Sequence, residues 1–287
     1  MIIVLSPAKT LDLSPPPLAL TPTAPAFLDE ARLLVERLRA MSPAQLGSLM
    51  GISDTLASLN ATRFADWGSD SASTALPAVF AFNGDVYEGL AARSLSADDL
   101  QFAQRHLRIL SGLYGVLRPL DRMEAYRLEM GTRLDTPRGK DLYAFWGEHP
   151  ARAIEALAQE IAPEMAQESE REMAPGVAQA RARTTEPANG ALPTAQTLVN
   201  LASEEYFKVL ARHCRLPVVQ PVFEDWSAGR FKVVSFFAKR ARGLMARYAI
   251  LHRLRDAADL HSFAEDGYAF APEVSDAARW VFRRRSV

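Results

Sequence analysis

Leu-Arg-Ile-Leu-Ser-Gly-Leu-Tyr-Gly-Val-Leu-Arg-Pro-Leu, residues 107–120, is the stretch on which the architecture turns. Gly112 and Gly115 stand three apart, so the chain there can bend tightly with its backbone N–H groups facing outward. Upstream, Ser96 with Asp99 forms a capping box that opens a helix near 97–109, carrying Phe102, His106 and Ile109. Downstream, Pro119 lets a second helix begin no earlier than about Arg118, with the proline in its first turn. The expectation is a helix, a glycine turn and a short helix. Amides at such a turn coordinate an oxygen anion, with Arg118 and Arg122 supplying charge. A glycine-rich helical corner without a ligand satisfies the same string.

Outward from this segment, residues 1–5, 197–201, 217–223 and 230–237 read as strands, the third weakened by Pro221. Helices are expected over 26–40, after Ser42-Pro43, after Ser53 and over 238–254. In the last, Ala241, Leu244, Met245, Tyr248 and Leu251 follow a helical period while Lys239, Arg240, Arg242, Arg247 and Arg253 project from the other side. Helices and strands do not alternate regularly, so an α+β fold is expected rather than a doubly wound sheet. Residues 163–196, with four prolines and few large apolar residues, read as a flexible acidic insertion in a single composite domain spanning 1–287. Thr197–Leu201 supports that arrangement, because it looks like a buried strand able to pair with the N-terminal one. A linker between two halves is the alternative.

The composition is that of an ordinary globular protein, 48% hydrophobic and 23% charged. One cysteine, Cys214, excludes an internal disulfide. The apolar start Met1–Leu5 lacks a basic flank and a cleavage pattern, and no apolar run nears the ~20 residues of a membrane span. A cytoplasmic protein without membrane contact is therefore expected. The formal charge of −1 conceals segregation: six Glu and one Arg give 155–172 a local charge of −5, while 230–255 carries eight positive residues and no Asp or Glu. No P-loop, nucleophile elbow or His/Cys metal spacing occurs, so neither a metal nor a cofactor is expected. Ser6-x-x-Lys9 matches a serine-nucleophile pair, but its companion motifs are missing and Pro7 disfavours the required helix.

Three groups of residues could carry chemistry. The basic element 230–255 interleaves Phe231, Phe236 and Phe237 with cations, a pattern that grips phosphates and stacks on bases; a solvated face paired with distant carboxylates is the plainer account. Lys9, released from the end of a buried strand, could contact a phosphate or simply lie at the surface. Asp85, Asp121 and Glu129 sit in polar contexts suited to acid/base work or to salt bridges with Arg118, Arg127 or Arg133.

The string Leu110, Gly112, Leu113, Gly115 resembles the hairpin of the helix-hairpin-helix motif of DNA-repair proteins, departing from it at Pro119. Taken together, Leu5–Leu11, Gly84–Tyr87, Leu110–Asp121, Tyr126–Gly131, Asn200–Ser203 with Tyr206-Phe207-Lys208, and Ala238–Gly243 resemble the bacterial YaaA family of peroxide stress proteins nearly end to end. Asn83 stands where the family usually has lysine, and 163–196 is longer than usual. The resemblance implies a cytoplasmic oxidative-stress protein associated with limiting intracellular iron. It also implies a fold with a helix-hairpin-helix element beside a positive cleft, and duplex DNA as partner, bound with little sequence preference. The candidate nucleic-acid contacts are then Lys9, Ser111, Gly112, Tyr114, Gly115, Arg118, Arg127, Lys208, Lys239, Arg240 and Arg242. The alternative is an enzyme acting on a phosphorylated or nucleic-acid substrate, with Asp85 or Glu129 as acid/base.

Overall fold

Ile2-Ile3-Val4-Leu5 has no polar side, so it can only be a strand covered on both faces. In the computed structural model, which describes residues 1–68, 75–172 and 196–285, it is the buried centre of the principal sheet. The elements follow in the order β1 (Ile2–Leu5), β2 (Thr10–Leu11), α1 (Leu28–Arg39), α2 (Pro43–Met50), α3 (Asp54–Asp66), β3 (Leu76–Pro77), α4 (Ala78–Ala81), β4 (Phe82–Asn83), α5 (Asp85–Leu90) and α6 (Ala97–His106). Then come β5 (Leu107–Ser111), β6 (Gly115–Leu117), β7 (Arg122–Met123), α7 (Leu142–Trp146), α8 (His149–Glu172), β8 (Leu198–Asn200), α9 (Glu204–Ala211), β9 (Val218–Ser227), β10 (Arg230–Lys232), α10 (Ser235–Leu251), β11 (Ala269–Phe270) and β12 (Arg279–Arg284).

The described residues form an eight-stranded sheet of order β11-β12-β9-β8-β1-β5-β6, with β10 paired to β9. Strands β12, β9, β8, β1 and β5 are parallel; β6, β10 and β11 are antiparallel additions. The mixture of helix and strand matches the expectation, but the sheet is mostly parallel rather than segregated from the helices. Alternation is hidden in the sequence because the crossovers differ greatly in length: about 100 residues and several helices separate β1 from β5, and one helix separates β8 from β9. The strand expected at 197–201 does pair with β1, Val4 opposite Asn200. β9 runs on to Ser227; Pro221 is tolerated because β8 pairs no further than Val219.

Residues 107–117 correct the main expectation. They form a β-hairpin, not a helix-hairpin-helix: α6 ends at His106 because the apolar run that follows pairs with β1, Ile3 opposite Leu107, and β6 folds back with Ile109 opposite Leu117. Gly115 has φ +66° and lies against the Trp146 ring, which a Cβ would strike. No helix begins at Arg118; the Pro119 and Leu120 carbonyls accept from the Val79 and Thr23 amides instead. Two smaller differences concern the basic element. β10 stops at Lys232 and α10 begins at Ser235, so Phe236 and Phe237 belong to the helix's first turn. Of the expected insertion, 163–172 continue α8, and 173–195 lie outside the described residues. No helix among the described residues is long and apolar enough to cross a membrane.

His106 closes α6 against the core, stacked on Phe102 with ring centroids 4.3 Å apart and its Nδ1 3.0 Å from the Met1 carbonyl oxygen. Burial pushes its pKa down to about 4. Between the unfolded value near 6.5 and about 4 the unfolded chain binds a proton that the folded chain refuses, so stability falls as pH falls through that window. The expected loss is about 3 kcal/mol, read from urea midpoints at pH 7 and pH 4. His106→Leu should flatten that part of the profile; an unchanged slope would contradict the assignment.

Candidate functional site

The chain leaves β1 toward β5 on one side, and β8, β9 and β12 build outward on the other. The strand order therefore reverses between β1 and β8, where loops diverge at the carboxyl ends and leave a crevice. A cavity of about 420 Å³ lies there, lined by Ser6–Thr10 after β1, Leu201 and Ser203 after β8, Asn83–Tyr87 at the start of α5, Tyr126–Glu129, Glu205 and Tyr206 on α9, and Lys239 and Arg242 on α10. Ser6 ties the two loops together. Its Oγ accepts from the Ser203 amide at 2.8 Å and donates to the Ser203 hydroxyl at 3.2 Å, and its carbonyl accepts from the Tyr87 hydroxyl at 2.9 Å.

Each charged side chain reaches the cavity for a local reason. The short β2–β4 pair sets Thr10 opposite Asn83, which brings Lys9 beside the Gly84-Asp85 turn. α10 is pressed onto α5 through two glycines: a Cβ on Gly243 would collide with the Val86 carbonyl oxygen, and one on Gly89 with that of Arg240. That close approach puts Lys239 3.9 Å from Asp85. Glu129 is shared between Lys9 Nζ at 2.8 Å and Arg127 at 3.1 Å.

Two guanidinium groups stand apart. Arg127 Nε is buried without a hydrogen-bond partner among the described residues. Arg242 is half-buried, has no ion pair among the described residues, and burial lowers its pKa. Arg127 Nε is closed off from the cavity's open space, so an anion there would gain from Arg242, whose charge no carboxylate among the described residues neutralises. The three tyrosines of the lining, Tyr87, Tyr126 and Tyr206, have pKa values raised chiefly by burial, so they stay neutral.

Of the residues singled out from sequence, Lys9, Asp85, Arg127, Glu129, Lys239 and Arg242 meet in this cavity. The others do not. Ser111, Gly112, Tyr114 and Gly115 are buried in the hairpin. Ser111 Oγ bonds the Tyr126 hydroxyl and accepts from the Tyr114 amide, the Tyr114 hydroxyl accepts from Trp67 Nε1 and the Glu124 amide, and the Gly112 carbonyl accepts from Trp146 Nε1. With its polar groups spent internally and its backbone covered, the turn cannot face a phosphate, and the glycine-turn expectation is withdrawn. Arg118 is bound to the buried Asp121 at 2.9 Å, Arg240 to Asp266 at 2.8 Å, and Lys208 sits 4.7 Å over the Tyr143 ring beside a separate, smaller cavity.

The sequence reading missed the tyrosine lining, Glu205 and the Ser6–Ser203 link. It also missed Trp226, exposed beside Phe231 at the β9–β10 turn and covered by Arg285 at 4.6 Å. The only available signal for Trp226 was its place beside the basic run.

Because Glu129 occupies two of the cavity's cations, it opposes an incoming anion. Glu129→Gln is expected to tighten anion binding about 3–10-fold, measured by titration with inorganic phosphate or a labelled oligonucleotide. Weaker binding would instead make Glu129 part of the ligand's contact set.

A mostly parallel sheet with a cavity at its point of strand-order reversal, lined by four cations and three carboxylates, defines an α/β protein whose crevice lies at the carboxyl edge of its sheet. The chain belongs to the YaaA family of peroxide stress proteins, whose model, described as peroxide stress protein YaaA, matches residues 1–274. It is 56% identical over 288 residues to a UPF0246 protein of Ralstonia nicotianae, covering 100% of both chains. It is 54% identical to one of Cupriavidus metallidurans and 50% identical to one of Dechloromonas aromatica, each over 287 residues and 99% of both chains.

Proposed function

We propose that this peroxide stress protein binds DNA with little sequence preference, and that the contact centres on the β1–β8 cavity rather than on the 107–117 hairpin. The observation that carries the reading is the gathering of Lys9, Arg127, Lys239 and Arg242, from three separate parts of the chain, around one cavity in which Arg242 has no acidic partner among the described residues. The phosphodiester backbone is a chain of anions, and sequence-independent affinity for it is electrostatic. Phe236 and Phe237, exposed within one turn of Lys239 on α10, with Arg284 over the Phe237 ring, add apolar surface for bases. Association with low intracellular iron follows, in this reading, from action at DNA and calls on no iron ligands of the chain itself.

Anisotropy titration of a labelled duplex at several salt concentrations tests the proposal. Neutralising three or four phosphates predicts a slope of log K against log salt of about −3. Affinity indifferent to salt would overturn it.

A second reading, an enzyme acting on a phosphorylated or nucleic-acid substrate, is favoured by the two carboxylates in the same cavity: Asp85 faces Lys239 and Glu129 faces Lys9. Its test is turnover of a nucleotide and DNA panel, with Asp85→Asn and Glu129→Gln each expected to remove activity while the fold persists.

A further inference from the structure

We propose that the cavity admits one whole nucleotide, a phosphate with its sugar and base, presented as an extrahelical residue of DNA or as a free mononucleotide. The inference rests on the phosphate-binding reading above and specifies what enters.

Volume and the position of Arg242 support it together. About 420 Å³ lies within the range of small-molecule sites and is far too little for a stacked duplex. A backbone running across the mouth reaches Lys9 and Lys239, whose side chains are 64% and 54% exposed. Arg242, which also lines the cavity, is half-buried and has no ion pair among the described residues. A phosphate detached from its neighbours can follow it inward. Behind the cations the wall turns apolar and aromatic, with Val86, Leu128, Tyr126 and Tyr206, a surface suited to the face of a base. At its edge stand the hydroxyls of Ser6 and Ser203 and the carboxylate of Glu205, whose Oε1 takes the Gly131 amide at 2.9 Å. Extracting a base from a duplex is costly, and least so where it is already unpaired, so such a site favours DNA with a bulged or mismatched residue.

The test uses the full-length protein at one salt concentration and four probes: a matched duplex, the same duplex with one bulged nucleotide, deoxyadenosine monophosphate and inorganic phosphate. Binding of the bulged duplex about tenfold tighter than the matched one supports the proposal with DNA as the source. No such preference, but competition by the mononucleotide at concentrations about tenfold below inorganic phosphate, supports it with a free nucleotide as the source. If neither appears while the matched duplex still binds with steep salt dependence, the inference falls and the DNA-binding reading stands. If no phosphate-bearing probe binds, both fall. Arg242→Gln, checked by thermal melting, should reduce the bulge or mononucleotide advantage to about twofold or less. An advantage that survives in the folded variant overturns the proposal, and the wild-type comparison decides alone if the variant does not fold.

Discussion

Replacing Lys239 and Arg242 together by glutamate is expected to weaken DNA binding about 100-fold at low salt, equally for unrelated sequences. Both residues project from α10 into the cavity, and each reversal removes one phosphate contact and adds a repulsion. About 3 kcal/mol in total is the corresponding free energy. The salt slope should become shallower by about 2, because two fewer counterions are released. Arg240→Glu gives the contrast. Arg240 is a single residue away from Lys239 but donates to Asp266, which also receives Arg284. Its reversal should change affinity less than about threefold and act on stability instead. Equal effects of the two changes would mean that the cavity is not the contact.

Gly243→Val is expected to be among the most damaging single changes for the fold. The Gly243 and Gly89 positions let α5 and α10 approach until backbone meets backbone, with the Val86 and Arg240 carbonyl oxygens where side chains would stand. Ala at 243 would gain about 1 kcal/mol of helix propensity but must force the helices apart, for a net loss of about 2–3 kcal/mol. Val adds two methyl groups and a stiffer rotamer, so a loss of about 4 kcal/mol or failure to fold follows. Denaturant unfolding of the Ala variant checks the sign, and stability at or above wild type would refute the packing argument. Loss of anion binding in a still-folded Ala variant would further show that this contact holds Lys239 and Arg242 at the cavity.

Local physics made part of this legible from sequence. β1 could be read because a strand with no polar side has one place to go, and the helix starts after Ser42, Ser53 and Ser96 could be read because each serine side chain accepts an amide of its own first turn. The hairpin could not. Gly112 and Gly115 suit a turn between helices as well as one between strands, and the choice is made by pairing of Leu107–Ile109 with Ile3–Leu5, about 100 residues away. Burial on both faces also erases the alternation that would have marked a strand.

At the site, charges were visible and their pairings were not. The acid-free stretch 230–255 borrows its carboxylates from elsewhere: Lys239 from Asp85, Arg240 from Asp266 and Arg253 from Asp99. Lack of acid along the chain is thus no lack of acid in space, and what separates Arg242 from Arg240 is tertiary position alone. Tyr87, Tyr126 and Tyr206 each stand in a string that carries the family resemblance, but nothing in those strings set them apart from core aromatics as a common lining.

The most direct measurement of the central claim is the map of where DNA touches the protein. Photo-crosslinking with a thio-substituted oligonucleotide, read by mass spectrometry, should label peptides that contain Pro7–Thr10, Asn83–Tyr87, Tyr126–Glu129 and the first turns of α10. Crosslinks confined to the 107–117 hairpin, or to the far sheet edge at β11, would place the contact elsewhere and contradict the account.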